Sequence, residues 1–200
     1  MPPSTSTRER IIDAAMQLFG DNGYRGTSVV QIETAAGLTP GAGGIYHHFQ
    51  SKEALLAAGV ERQLARLDAL RDIRHVLTDL GDLRAELTVT ARYVLAELDS
   101  ERDLLRVLAS EARTRPELVQ HAARRLVGAT YAEFADWLAE RAKLPSTSAR
   151  AVANVGLGAL LSSRILSTVL GVTPPGTEDE TFVTTWVDMM CKVIGDCPHR

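Results

Sequence analysis

Between Gly37 and Leu55 the chain reads GLTPGAGGIYHHFQSKEAL, four glycines and a proline followed by a Tyr-His-His-Phe cluster and a Ser-Lys-Glu triplet. Glycine inside a helix costs about 1 kcal/mol relative to alanine. Glycines at this density therefore mark a backbone that approaches another surface closely, or one that only kinks. The surrounding side chains offer donors for binding. No Gly-x-Ser-x-Gly, phosphate loop, His-Glu-x-x-His or dinucleotide fingerprint occurs, so no catalytic residue is assigned. Cys191, Cys197 and His199 are too few for a zinc site; the two cysteines could pair with each other but read better as ordinary thiols, with no metal and no cofactor expected. A net charge of −3 gives no general electrostatic footprint for nucleic acid.

The elements that must position this stretch all read as helices, which predicts an all-α fold. Ser6-x-x-Glu9 is a capping box ahead of Ile11, Ala14, Ala15, Leu18 and Phe19 at helical spacing. Asn22-Gly23 suits a left-handed cap, so the first helix should end near Gly20 or Asp21. Thr27 or Ser28, with Gln31, starts a short second helix that Gly37 stops. Thr39 and Pro40 suit the first turn of a third. Ser51 caps a longer helix to about Arg74, with Leu55, Leu56, Val60, Leu64, Leu67 and Leu70 as its apolar set. Further helices are expected near 81–98, 101–114, 116–142, 147–170 and 178–195, with starts at Ser100, Thr114 and Thr177. The richest apolar stretch, AVANVGLGALLSSRILSTVLGV, is interrupted by Asn154, Ser162, Ser163 and Arg164, and MPPSTSTRER carries no apolar signal core. A soluble, cytoplasmic protein without a membrane partner is the expectation.

Two short helices joined by a glycine turn after a longer helix form the helix-turn-helix arrangement. The segment RERIIDAAMQLFGDNGYRGTSVVQIETAAGLTPGAGGIYHHFQSKEALL resembles the DNA-binding domain of the TetR family of transcriptional regulators. The resemblance rests on Ile-x-x-Ala-Ala-x-x-x-Phe, Asn-Gly-Tyr, Thr27, Ala36-Gly37, Ile45-Tyr46-His47-x-Phe49 and Ser51-Lys52-Glu53. The remainder of the chain resembles the family only in being helical. One departure is that Gly43-Gly44 reads as an insertion where the recognition helix should lie.

The resemblance implies a helix-turn-helix DNA-binding domain at 1–52, a connecting helix at 53–74, and a larger helical effector-binding and dimerisation domain at 75–200. It implies a repressor that binds a palindromic double-stranded DNA operator as a homodimer and leaves it when a small-molecule effector binds. Tyr46, His47 and Lys52 are expected to donate to phosphates, with hydroxyls from Thr27 and Ser28 that can equally be plain caps. Residues 38–49 contain no Arg, Lys, Asn or Gln. Base readout should then rest on Thr39, Pro40, Gly41, Ala42 and Gly43, on Gln31, and on DNA shape. Arg8 and Arg10 either reach the adjacent backbone or form a solvated face. Within 1–52, Arg8, Arg10, Arg25 and Lys52 are balanced by Glu9, Asp13, Asp21 and Glu33, so a monomer should bind weakly and a dimer is the natural remedy.

Gly156, Ala159, Ser163 and Ser167 fall near one helical face, with Val152, Leu160 and Leu166 around them. The family's final helices pair as a four-helix bundle, which adds Phe182, Trp186, Met189 and Val193; burial within one subunit is the other reading. An effector pocket would draw on Tyr93, Tyr131, Phe134 and Trp137, with His75, Arg106 and His121 as polar orienters, although the aromatic spacing also suits plain core. A helical protein-interaction module without specific DNA binding is the competing reading.

Overall fold

A computed structural model describes residues 6–75, 82–173, 175 and 178–194; the side chains of 66–75, 126 and 129 lie outside the description. Among the described residues there are helices and turns and no strand. The order is α1 (Thr7–Gly26), α2 (Val29–Ala35), a 3-10 turn (Gly44–His47), α3 (Lys52–His75), α4 (Leu83–Ser100), α5 (Arg102–Glu111), α6 (Pro116–Ala123), a π-helical turn (Arg124–Gly128), α7 (Ala129–Arg141), α8 (Ser146–Leu170) and α9 (Asp179–Ile194). The fold is all-α, as the periodicity predicts.

Three of the expected helix starts are capped by serine. The Ser6 hydroxyl accepts from the Glu9 N–H, Ser28 and Gln31 form a reciprocal capping box, and Ser51 accepts from the Ala54 N–H. Other signals are overruled. The first helix continues past Gly20 and Asp21 and breaks only at Gly23, whose φ of 72° is left-handed. Ser100 closes α4 by donating to the Glu97 carbonyl instead of capping α5. Thr114 donates to the Glu111 carboxylate and does not cap the next helix, although α6 does begin at Pro116, as expected. The expected start at Thr177, the apolar positions Leu67 and Leu70, and Cys197 with His199 lie outside the described residues or side chains. Cys191 is disulfide-bonded, so the ordinary-thiol reading does not hold for it.

By packing, the described chain forms two compact units. One compact unit takes residues up to Arg66 together with Glu101–Ala122; the other takes Leu67–Ser100 and the chain from Ala123 onward. In the first unit, Ile11, Ile12, Ala15, Met16 and Phe19 of α1 pack with Ile32, Ile45, Leu55, Leu56, Val60 and the α5 residues Leu104 and Val107, all buried. Each large side chain buried there contributes about 1.5–3 kcal/mol relative to exposure. Two glycines admit close helix approach. A Cβ on Gly20 would lie 3.4 Å from the Asp103 Cα, and one on Gly59 would lie 2.4 Å from the Met16 Sδ.

In the second unit, α4, α7, α8 and α9 enclose a core that includes Leu87, Leu95, Phe134, Leu138, Leu157, Leu160 and Trp186. The Trp186 indole N–H donates to the Gly156 carbonyl at 2.8 Å, tying α9 to α8. Arg141 donates to the buried Glu86 carboxylate at 3.3 Å. By length and composition α8 could cross a membrane, with a mean hydropathy of 1.3 in its most apolar window, although polar residues interrupt it. Here it packs with α7, α4 and α9, and its Arg164 pairs with Asp99 and Asp179, each at 2.9 Å.

Candidate nucleic-acid interface

The left-handed Gly23 turns the chain at the end of α1, and Thr27 closes the corner beneath it. Thr27 is only 2% exposed, and its hydroxyl donates to the Leu18 and Gly23 carbonyls at 3.0 and 2.9 Å. Lys52, at the start of α3, points its ammonium into the same corner and donates to the Tyr24 and Thr27 carbonyls. The ammonium also lies 4.1 Å from the Tyr24 ring centroid, and the Arg115 guanidinium lies 3.9 Å from it. Burial first, then the neighbouring Arg115 charge, hold the Lys52 pKa below its ordinary value. These bonds tie Thr27 and Lys52 to the protein's own backbone.

Glu111 completes this corner by pairing with Arg115 and accepting from the Thr114 hydroxyl. Burial alone would raise its carboxyl pKa, but the bonds from Thr114 and Arg115 outweigh that and bring it below the usual value. Desolvation raises the pKa of the Tyr24 phenol, with Arg115 acting the other way.

From this corner α2 projects with Ser28 and Gln31 exposed beyond their capping box. The Gln31 carbonyl oxygen is occupied by the Ser28 N–H, which leaves its amide N–H groups to meet a base edge. Gly37 follows at φ 71°, and the chain then departs from the expected third α-helix. Thr39, Pro40, Gly41 and Ala42 form turns, closed by an Ala42 N–H to Thr39 carbonyl bond of 3.3 Å. Helical structure resumes only as the 3-10 turn Gly44–His47, without a side-chain cap. The reason lies in two glycines of the run: Gly41 and Gly43 adopt φ of 77° and 74°, which a right-handed helix cannot contain. Thr39 and Pro40 therefore start a turn, and the helix does not propagate.

Beneath the loop, Ile45 and Phe49 anchor the 3-10 turn in the core, while Tyr46 stands 55% exposed beside exposed His47 and His48. Thr39, Pro40, Gly41 and Ala42 are exposed, and Gly43 is half-buried. Arg8 lies over the Phe49 ring at 5.0 Å, with its side chain half exposed; Arg10 is exposed on α1. Missed in the sequence was Glu33, fully buried on the underside of the loop, with its Oε2 accepting the Gly41 N–H at 2.7 Å. An acid next to Ile32 on a short apolar helix, just ahead of a glycine run, was the available signal.

The residues expected at an effector site fall in different units. Arg106 pairs with Asp21 at 2.9 Å and His121 with Glu61 at 2.8 Å, both in the first unit. In the second, Tyr93 is half-buried and donates to Glu97. Phe134 stacks on Trp137 at 5.5 Å and lies 6.4 Å from Trp186 within the core, while burial raises the pKa of half-buried Tyr131. The side chain of His75 lies outside the description.

The expected dimer residues also divide. Gly156, Leu160 and Trp186 are buried within the subunit. Val152, Ser163, Leu166, Ser167 and Phe182 are half-buried, and Ala159, Met189 and Val193 are exposed.

An exposed turn and loop behind a capped short helix, braced by a third helix, define a helix-turn-helix head of the kind that lies against duplex DNA. Residues 11–58 match the family described as bacterial regulatory proteins, tetR family. The N-terminal region is 44% identical over 64 residues to the HTH-type transcriptional regulator UidR of Escherichia coli K12, covering 30% of this chain and 32% of that protein. It is 42% identical over 67 residues to the HTH-type transcriptional repressor AcnR of Corynebacterium glutamicum, covering 34% and 32%. The matched region thus spans about a third of the length of these curated relatives. The whole fold is shared with solved structures. A Mesorhizobium loti protein assigned to the TetR-family transcriptional regulators superposes with a TM-score of 0.72 at 23% identity, over 96% of this chain and 98% of that one. FadR from Bacillus subtilis, solved in complex with stearoyl-CoA, gives 0.63 at 15% identity, over 95% and 98%.

Proposed function

We propose that this protein is a cytoplasmic, ligand-responsive transcriptional repressor that binds a two-fold-symmetric operator as a homodimer. The observation that carries the reading is the exposed set Ser28, Gln31, Thr39–Ala42, Tyr46 and His47 on a scaffold of buried Ile32, Glu33, Ala36 and Ile45, within the 11–58 region that matches the tetR family. Residues 1–52 carry DNA recognition and 53–74 connect it to an effector-binding and dimerisation part drawn from 75–200. Tyr46, His47 and Ser28 meet phosphates. Gln31 and the Thr39–Gly43 loop face the bases, with Thr27 and Lys52 fixing the head from within.

The effector site draws on the aromatic side chains of the second unit, Tyr93, Tyr131, Phe134 and Trp137. Precedent for such a ligand on this fold is the stearoyl-CoA bound to B. subtilis FadR. An effector that binds one conformer better shifts the population away from the one whose two reading heads match successive major grooves, about 34 Å apart.

The test is selection of bound fragments from the protein's own genomic DNA, followed by titration of the best fragment at several salt concentrations. Recovery of a two-fold-symmetric site supports the reading. Sequence-independent binding alone sinks it and leaves the helical interaction module as the better account.

A further inference from the structure

Glu33 is the group in the head whose presence stability does not explain. It is fully buried, its Oε1 has no protein hydrogen-bond partner, and it sits in a domain that must approach phosphates. Burying a carboxylate with so few bonds is unfavourable, and an apolar residue of similar volume there would hold the fold equally well or better. Its contacts instead follow the loop. The Glu33 backbone carbonyl accepts the Leu38 N–H at 2.8 Å, and Oε2 accepts the Gly41 N–H at 2.7 Å. A Cβ on Gly44 would lie 4.0 Å from Oε1 and 3.4 Å from the Leu38 Cδ1. One residue thus meets the loop at its start, middle and end.

This placement gives the two inserted glycines different jobs. Gly43 supplies the left-handed φ that turns the chain into the 3-10 segment. Gly44, whose φ is ordinary, lets the backbone settle over Leu38 and the Glu33 carboxylate. A loop with left-handed glycines has many conformations open to it, and a charge-assisted bond to a central N–H selects among them.

We propose that Glu33 is the positioning residue of the reading loop, holding Thr39–Gly43 in its base-facing conformation from beneath without touching DNA. The inference rests on the DNA-binding reading. It predicts that sequence discrimination and non-specific affinity separate, because the phosphate contacts lie outside the loop.

The test compares wild type, Glu33→Met and Glu33→Gln in the full-length protein. The probes are the fragment selected from genomic DNA and a shuffled duplex of equal length, with a thermal melt for each variant. Met fills the volume and removes the acceptor. The expected result is a melt at or above that of wild type, unchanged affinity for the shuffled duplex, and at least a tenfold loss of preference for the selected fragment. Gln, which retains an acceptor oxygen, should restore most of the preference. Undiminished preference in Glu33→Met overturns the proposal. A lost or lowered melt, or equal loss on both duplexes, overturns it too, by making Glu33 a fold-holding group. Should wild type prefer no fragment, the DNA-binding reading fails separately. Hydrogen exchange of the Gly41 amide then decides: protection in wild type and Gln but not in Met supports the contact, and fast exchange in wild type overturns it.

Discussion

At the residue scale, the serine caps at Ser6, Ser28 and Ser51 were legible in the sequence, and side chains with distant partners were not. The Ser28–Gln31 box could be read directly, because both bonds close within one turn. Lys52 could not, since its acceptors on Tyr24 and Thr27 lie 28 and 25 residues away. Its placement makes a testable distinction. A phosphate-bound lysine removed from each head should lower the salt slope by about 0.9 per head. Lys52→Met should instead leave the slope unchanged and destabilise the fold by about 2 kcal/mol, read by denaturant titration, because two charge-assisted bonds are lost. A shallower slope with undiminished stability would return Lys52 to the DNA. Glu111 supplies a pH dependence from the same corner. Its folded pKa lies below the ordinary 4.5, so the unfolded chain binds the proton first. Its contribution is therefore complete above that value and is lost as pH falls through the depressed folded pKa. Glu111→Gln should lower stability at pH 7 and flatten the acid side of the stability curve. Asp103 titrates with the opposite sign, raised by burial and by Asp21, so the difference between variant and wild type is the quantity to measure. Equal slopes in both would remove Glu111 from the account.

At the element scale, helix existence was legible except after Thr39-Pro40, and helix continuity was not. Thr39-Pro40 is a sound start signal, yet propagation requires right-handed φ at the next residues, and Gly41 and Gly43 take the other hand. Similarly, 116–142 reads as one helix and is interrupted by a π-helical turn at Arg124–Gly128. Periodicity reports which face is apolar; it carries no record of backbone hand or of hydrogen-bond register. Interhelix distance is equally silent in sequence. Gly59 looks like a weak point of α3, where alanine should add up to about 1 kcal/mol from helix propensity. The structure predicts the reverse. A Cβ there falls 2.4 Å from Sδ and 2.8 Å from Cγ of Met16, itself buried between α1 and α3. Overpacking of about 1–3 kcal/mol should exceed the propensity gain, so Gly59→Ala should melt below wild type. A higher melting temperature would mean that Met16 swings clear and that α1 and α3 are not in close register.

At the scale of the whole molecule, the sequence identified the apolar surfaces of α8 and α9 without saying which subunit fills them. Gly156, Leu160 and Trp186 close the core of their own subunit, with the Trp186–Gly156 bond and Met190 packed over the glycine. What is left outward is a different set. Val155 on α8 is 69% exposed, and Met189 and Val193, one turn apart on α9, are 56% and 58% exposed. Apolar side chains exposed at helical spacing on two packed helices suit the close pairing that a symmetric bundle needs. A carboxylate placed there should therefore separate the protomers and leave each one folded. Val193→Glu is expected to sediment as a monomer, keep its melt at low concentration, and lose affinity for a two-half-site fragment far more than for a single half-site, because two heads no longer bind as one body. Trp186→Phe serves as the internal control. It should lower the melt through loss of the Gly156 bond while the protein continues to dimerise. If Val193→Glu, and likewise Met189→Glu, sedimented as wild type does, the paired heads would have to be joined through some other surface, and the outward α9 row would have no part in spacing them along the groove.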